Sequence, residues 1–173
     1  MGAQTDARDG EFHQFVTVAW PRLLRTAYLL AGDRHTAEDL VQTTLERSYV
    51  AWSRVNRADD RDAYVRRILV NEHARRFRRK LRENLVTAVP ERPGEDGSDR
   101  LDDRAALLAA LAELPPRQRQ AVVLRYWEDL SESQAATAMG CSVGTVKSQA
   151  SKGVAKLRTV FLPAARTRLG GVA

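Results

Sequence analysis

The stretch LSESQAATAMGCSVGTVKSQASKGVAKL, residues 130–157, reads as a helix-turn-helix. A short first helix is expected from about Ser131 to Met139, and Gly140 supplies the sharp turn, a position that needs positive φ. Ser142 can cap a second helix, which continues through Val146, Ala150, Val154 and Leu157 at helical spacing. Ala135 and Ala136 are small enough to let two helices cross closely. In such a motif the second helix lies in the DNA major groove and offers its first turns to base edges. The candidate contacts are Ser142, Thr145, Lys147, Ser148, Ser151 and Lys152. The competing reading is an ordinary helical hairpin with a solvated basic face. Glycine, cap, apolar spacing and basic face together favour DNA.

Bulk properties point the same way. The chain has 173 residues, enough for one ordinary domain or two small ones. Its net charge of +6 and pI of about 10.0 favour a polyanionic partner. A single cysteine, Cys141, excludes an internal disulfide framework and a cysteine-based zinc site. In the turn it reads as a small residue rather than a redox switch. The opening MGAQTDARDGE carries no signal-peptide core, and no apolar run is long enough for a bilayer. A cytoplasmic protein without membrane insertion is expected.

Working outward, the remaining periodicity is helical throughout, and the fold class expected is all-α. Residues 1–10 read as a loose terminus. Phe12, Phe15, Val16, Ala19, Leu23, Leu24, Ala27 and Leu30 form the first stripe, with Pro21 as a kink or restart. Ala37, Leu40, Val41, Thr44, Leu45, Ser48, Tyr49 and Trp52 form a second. NRADD, residues 56–60, is a polar loop. Asp62 opens a third helix through Tyr64, Val65, Ile68, Leu69 and Phe77 that becomes strongly basic at its end. Trp52 and Tyr64 lie on apolar stripes and read as core rather than as stacking platforms. Residues 84–100 combine prolines, glycines and acids without periodicity, a linker by composition. Leu101, Leu107, Leu108, Leu111 and Leu114 start a helix ending at Pro115-Pro116, and Arg117–Glu128 forms another. Residues 163–173 read as a loose tail. The organisation expected is two small helical domains, 11–83 and 101–162, on a flexible acidic tether.

Catalysis finds no support. His13, His35 and His73 are scattered, without the spacing of a metal-binding helix, and there is no glycine-rich phosphate loop or nucleophile elbow. No enzyme activity, cofactor or metal is expected.

Three segments carry a family resemblance. TAEDLVQTTLERSYVAW (36–52) resembles the second conserved region of bacterial sigma factors, and DAYVRRILVNEHARRFRRKLR (62–82) the part that follows it. LAELPPRQRQAVVLRYWEDLSESQAATAMGCSVGTVKSQASKGVAKLR (111–158) looks like the fourth, promoter-reading region. Their order and the chain length resemble the extracytoplasmic-function (ECF) group, and within it the SigE-like subgroup. The resemblance implies a sigma factor that binds core RNA polymerase and directs promoter-specific initiation. It implies docking on the clamp helices of the largest subunit through Asp39, Gln42, Thr43 and Glu46, with the flap region as a further contact. The outward strip Glu38, Asp39, Gln42, Thr43, Glu46 and Arg47 suits a basic protein partner better than phosphates. The resemblance further implies that the 56–60 loop captures an unstacked minus-ten base and that the following helix contacts promoter DNA. The candidate contacts are Asn56, Arg57, Arg66, Arg67, Asn71, Arg75, Arg78 and Arg79. The Asn71 amide could read a base edge or cap a neighbouring helix. The helix-turn-helix would read the minus-thirty-five element, and an anti-sigma factor is a further partner to expect.

Gln149 stands where many relatives carry Arg, and Gly153 replaces a usual Ala, at an expected cost of about 1 kcal/mol in an exposed position. Two other readings compete: a stand-alone helix-turn-helix regulator binding DNA as a dimer, and a polymerase-binding modulator without promoter specificity. Residues 36–82 argue against the first, which needs no acidic docking helix.

Overall fold

In the computed structural model, the backbone is described for residues 2–84 and 99–169, and side chains for 6–83 and 103–161. The chain divides into two units, Met1–Leu81 and Arg82–Ala173, and the described residues are helices and connections without a strand. Residues 85–98, most of the expected tether, lie outside the described residues, as do 170–173.

The first unit holds α1 (Gly2–Ala31), α2 (Arg34–Val50), the single turn α3 (Trp52–Val55) and all but the last three residues of α4 (Arg61–Asn84). α1 packs along α2. Ala19, Leu23, Ala27 and Leu30 of α1 meet Ala37, Leu40, Val41 and Leu45 of α2 in the core, and α4 adds Val65, Leu69 and Val70. Asp33 starts α2 by accepting the Thr36 N–H on its side chain at 2.8 Å. Asp60 does the same for α4 through the Ala63 N–H, also at 2.8 Å. Pro21 lies inside α1 without ending it. It is exposed, so the missing hydrogen bond falls on the side of the helix open to water.

α1 begins at Gly2, so the loose terminus expected over 1–10 is helical from its second residue. Its early turns are held by side chains from forty residues away. The Arg8 guanidinium donates to the Tyr49 carbonyl and lies over the Tyr49 ring, 4.7 Å from its centroid. The Tyr49 hydroxyl donates to Asp9 at 2.6 Å, which raises the phenol pKa. Phe12 packs edge-on against both Tyr49 and Trp52 at 5.1 Å. These contacts predict that deleting residues 2–10 destabilises the chain by about 1–3 kcal/mol, from one cation–π contact and two hydrogen bonds. Urea unfolding of full and shortened chains measures this; equal midpoints would show that the terminus contributes nothing.

The second unit holds α5 (Asp99–Ala112), α6 (Pro116–Val122), a π-helical turn (Val123–Trp127), α7 (Glu132–Met139) and α8 (Val143–Leu169). The helix expected over 117–128 therefore changes pitch midway. The Glu128 N–H donates to Val123 O at 3.0 Å, the five-residue step of a π turn. Val123 and Leu124 are buried, whereas Tyr126 and Trp127 are 66% and 53% exposed. α8 runs on to Leu169, so residues 163–169, expected as a loose tail, are helical. Several arginines satisfy carbonyls here. Arg117 donates to Met139 O at 2.8 Å, and Arg119 to Ala112 O at 2.6 Å. Burial lowers the Arg119 pKa, partly offset by Glu113.

Gly153 corrects the expectation most sharply, because it is buried rather than exposed. A Cβ there would sit 2.6 Å from Val122 Cγ2 and 3.2 Å from the Gln118 carbonyl oxygen. The glycine lets α8 cross α6. Overpacking costs about 1–3 kcal/mol, against about 1 kcal/mol of helix propensity gained by alanine. Gly153→Ala should therefore lower stability by about 1 kcal/mol net, and Val122→Ala should recover part of that loss in the double variant. A more stable Gly153→Ala protein in thermal unfolding would contradict this packing.

Candidate nucleic-acid and polymerase interface

The helix-turn-helix follows from its caps. The Ser131 hydroxyl accepts the Gln134 N–H at 3.1 Å, and the Gln134 side chain accepts the Ser131 N–H at 2.8 Å, closing a capping box on α7. Gly140 takes φ 62°, and the Cys141 N–H returns to Ala136 O at 3.1 Å. Ser142 Oγ accepts the Thr145 N–H at 3.1 Å, and the two hydroxyls lie 2.9 Å apart. Val146 and Ala150 are buried on α8, and Ala135, Ala136, Ala138 and Met139 on α7. The helix therefore exposes Ser142, Thr145, Lys147, Ser148, Ser151 and Lys152 together. Gln149 is half-buried. Lys147 forms an ion pair with Glu132 on α7 at 3.3 Å. Both line an open groove with Arg125, Tyr126, Ser151 and Arg158. Sequence periodicity missed Tyr126 because the π turn redirects it, and Arg158 because it lies beyond the motif.

On α2, Asp39, Gln42, Thr43 and Glu46 fall within one stripe at the 3–4-residue spacing of a helix face. Gln42 and Glu46 are exposed; the Asp39 side chain is 49% exposed, with His35 at 3.8 Å. The flank of this stripe is held by α4. Arg76 donates to the Asp39 carbonyl at 2.8 Å and to the Thr43 hydroxyl at 2.7 Å. Arg47, 47% exposed, pairs at 3.0 Å with Glu72, whose side chain is only 8% exposed. Arg76 and Glu72 were not legible as contributors, since a basic run on a helix says nothing of which cations turn inward. Arg47→Ala leaves the Glu72 carboxylate short of its cation, and should cost about 1–3 kcal/mol in denaturant unfolding. Glu72→Gln in the Arg47→Ala background should restore part of it, and no restoration would show that the pair is not coupled.

On α4, Arg67, Asn71, Arg75 and Arg78 form one exposed stripe, with the exposed Arg79 at its edge. Arg66 is half-buried on the opposite flank, so the structure does not bring it together with them. Asn71 borders a groove with Glu46, Val50, Tyr64 and Ile68. Asn56 and the loop 58–62 wall an open cavity of about 610 Å³ with Phe15, Val18 and Ala19. Asn56 Nδ2 donates to Glu11 Oε2 at 2.9 Å. A carboxylate only accepts, so this contact fixes the amide orientation and turns Oδ1, which is buried without a partner, away from Glu11. Arg57 is exposed beside it. Asp62 pairs with Arg22 at 2.6 Å. Trp52 is buried against Phe12 and Phe15, and Tyr64 is half-buried. Among the described residues no group of histidine, cysteine and carboxylate side chains could hold a metal, and no helix is long and apolar enough to cross a membrane.

Comparison with known proteins gives this arrangement a family. Residues 17–83 match the family model for sigma-70 region 2, and residues 104–157 that for sigma-70, region 4. The RNA polymerase sigma-E factor of Streptomyces coelicolor A3(2) is 41% identical over 149 residues, covering 86% of this chain and 84% of that protein. The sigma-E factor of Streptomyces antibioticus is 42% identical over 151 residues, covering 86% and 83%. Among solved structures, the chain is similar to the sigma factor RpoE in complex with the anti-sigma factor NepR from Bartonella quintana. That match has a TM-score of 0.70 and 29% identity, and covers 87% of this chain and 96% of that one. CnrH in complex with the cytosolic domain of CnrY matches with a TM-score of 0.61 and 25% identity over 92% and 94%. The chain belongs to the sigma-70 family of RNA polymerase sigma factors, in the ECF group. Its function is that of a sigma factor, which binds core RNA polymerase for promoter-specific initiation; a stand-alone dimeric regulator is not favoured.

Proposed function

We propose that the two units divide promoter recognition between them. The α2 stripe Asp39, Gln42, Thr43 and Glu46 docks on the clamp helices of the polymerase largest subunit, and the second unit meets the flap region. Asn56, Arg57 and the α4 residues Arg67, Asn71, Arg75, Arg78 and Arg79 serve the minus-ten element. There the cavity beside loop 56–60 receives an unstacked base, whose extrusion costs a few kcal/mol. Ser142, Thr145, Lys147, Ser148, Ser151 and Lys152 serve the minus-thirty-five element. Residues 11–83 and 101–162 act as the working domains, with 84–100 as the tether. The chain works in the cytoplasm and supplies no catalytic group, because the polymerase carries the chemistry. The structurally similar sigma factor RpoE is in complex with the anti-sigma factor NepR, and an anti-sigma factor is the partner we extend to this chain.

One observation carries this reading: α2 presents an acidic-amide stripe, Asp39, Gln42 and Glu46, and α4 presents a basic one, Arg67, Arg75 and Arg78. Phosphates repel the first and attract the second. Run-off transcription with purified core polymerase tests it. Asp39→Arg with Gln42→Ala should lower core binding at least tenfold with helical content unchanged, because it reverses one charge and removes one amide in a docked face. Normal co-elution of that double variant with core polymerase would remove this stripe from the interface.

A further inference from the structure

Lys147 of the recognition helix is tied to another helix, and the tie is an acid in a groove on the proposed DNA face. Glu132 is the first residue of α7, where the capping box fixes the backbone and the helix dipole favours a carboxylate. Its Oε2 lies 3.3 Å from Lys147 Nζ, with the two side chains 37% and 62% exposed. The other charged residues of that groove, Arg125 and Arg158, are both basic. A carboxylate there opposes phosphate binding, so it lowers affinity for DNA of any sequence.

We infer that Glu132 is a positioning residue for sequence discrimination: it holds the Lys147 ammonium over the groove and withholds it from the nearest phosphate. The reasoning rests on the proposed role of Lys147 at the minus-thirty-five element. A lysine is a point charge on a flexible four-carbon stem, and left alone it finds whichever phosphate is closest. Such a contact carries no sequence information. Pinned by Glu132, the ammonium stays at a fixed place from which it can donate to a base edge such as guanine O6 or N7. Releasing Lys147 to a phosphate requires breaking the ion pair, and a pair of this exposure is worth about two- to fivefold in an equilibrium constant.

The test uses holoenzyme assembled from core polymerase and the full chain. Its DNA is a promoter duplex bearing the minus-thirty-five sequence that holoenzyme selects from a randomised pool, or a scrambled version. Glu132→Gln should tighten binding to the scrambled duplex about two- to fivefold and steepen its log–log salt dependence by about 0.9. Binding to the selected duplex should gain less, so the discrimination ratio falls. In a Lys147→Met background, Glu132→Gln should leave the ratio unchanged. A gain equal on both duplexes would overturn the inference, because the acid would then act only by general repulsion; so would a fall in the ratio that persists without Lys147. If Lys147→Met alone changes neither affinity nor salt dependence on either duplex, the proposed role of Lys147 fails and the inference falls with it.

Discussion

Close approach of helices is the constraint on which both units depend. Units this small bury little surface, so their helices must pack at short range while leaving whole faces for partners. In the second unit α8 crosses α6 at Gly153, where a single added carbon would meet Val122 at 2.6 Å. In the first, Ala27 and Ala37 are fully buried along the packing of α1 and α2. Small residues thus bring the backbones together. Large ones such as Trp52, Leu69, Leu124 and Met139 then fill what remains.

That packing decides which charges are available. The chain carries 28 lysines and arginines, but they are not equivalent. Arg76, Arg117, Arg119 and Arg125 spend their guanidinium donors on carbonyls and hydroxyls inside a unit. Arg67, Arg75, Arg78 and Lys152 are exposed. Net charge therefore overstates the surface offered to nucleic acid, and the arrangement of the exposed cations matters more.

Much of this was legible from the sequence, and the exceptions have physical causes. The helix-turn-helix could be read because its caps and turn use residues with one strong local preference each: Ser131, Gly140 and Ser142. The α2 core stripe could be read because Ala37, Leu40, Val41, Thr44, Leu45 and Ser48 repeat at helical spacing. The helical start at Gly2 could not, because the contacts that hold it come from Tyr49 and Asn56, remote in sequence. Nor could the burial of Gly153, which is set by Val122 and Gln118 on another helix. The π turn stayed hidden because Val123, Leu124, Tyr126 and Trp127 suit an α-helix equally well. At the candidate site, the exposed faces of α2, α4 and α8 were readable. The Glu132–Lys147 and Glu11–Asn56 pairs were not, since each joins two elements by side chains alone.

We propose that two weak DNA-binding units become selective only when polymerase sets their separation. Residues 84–100 are acidic and broken by proline and glycine, the composition of a linker. Avidity then arises only when something matches the units to the promoter spacing. The most direct measurement compares the free chain with reconstituted holoenzyme on one promoter duplex and its scrambled counterpart, by fluorescence anisotropy at fixed salt. The account predicts weak binding with little sequence preference for the free chain and clear discrimination for holoenzyme. Tight, selective binding by the free chain, as a dimer on a palindrome, would contradict it.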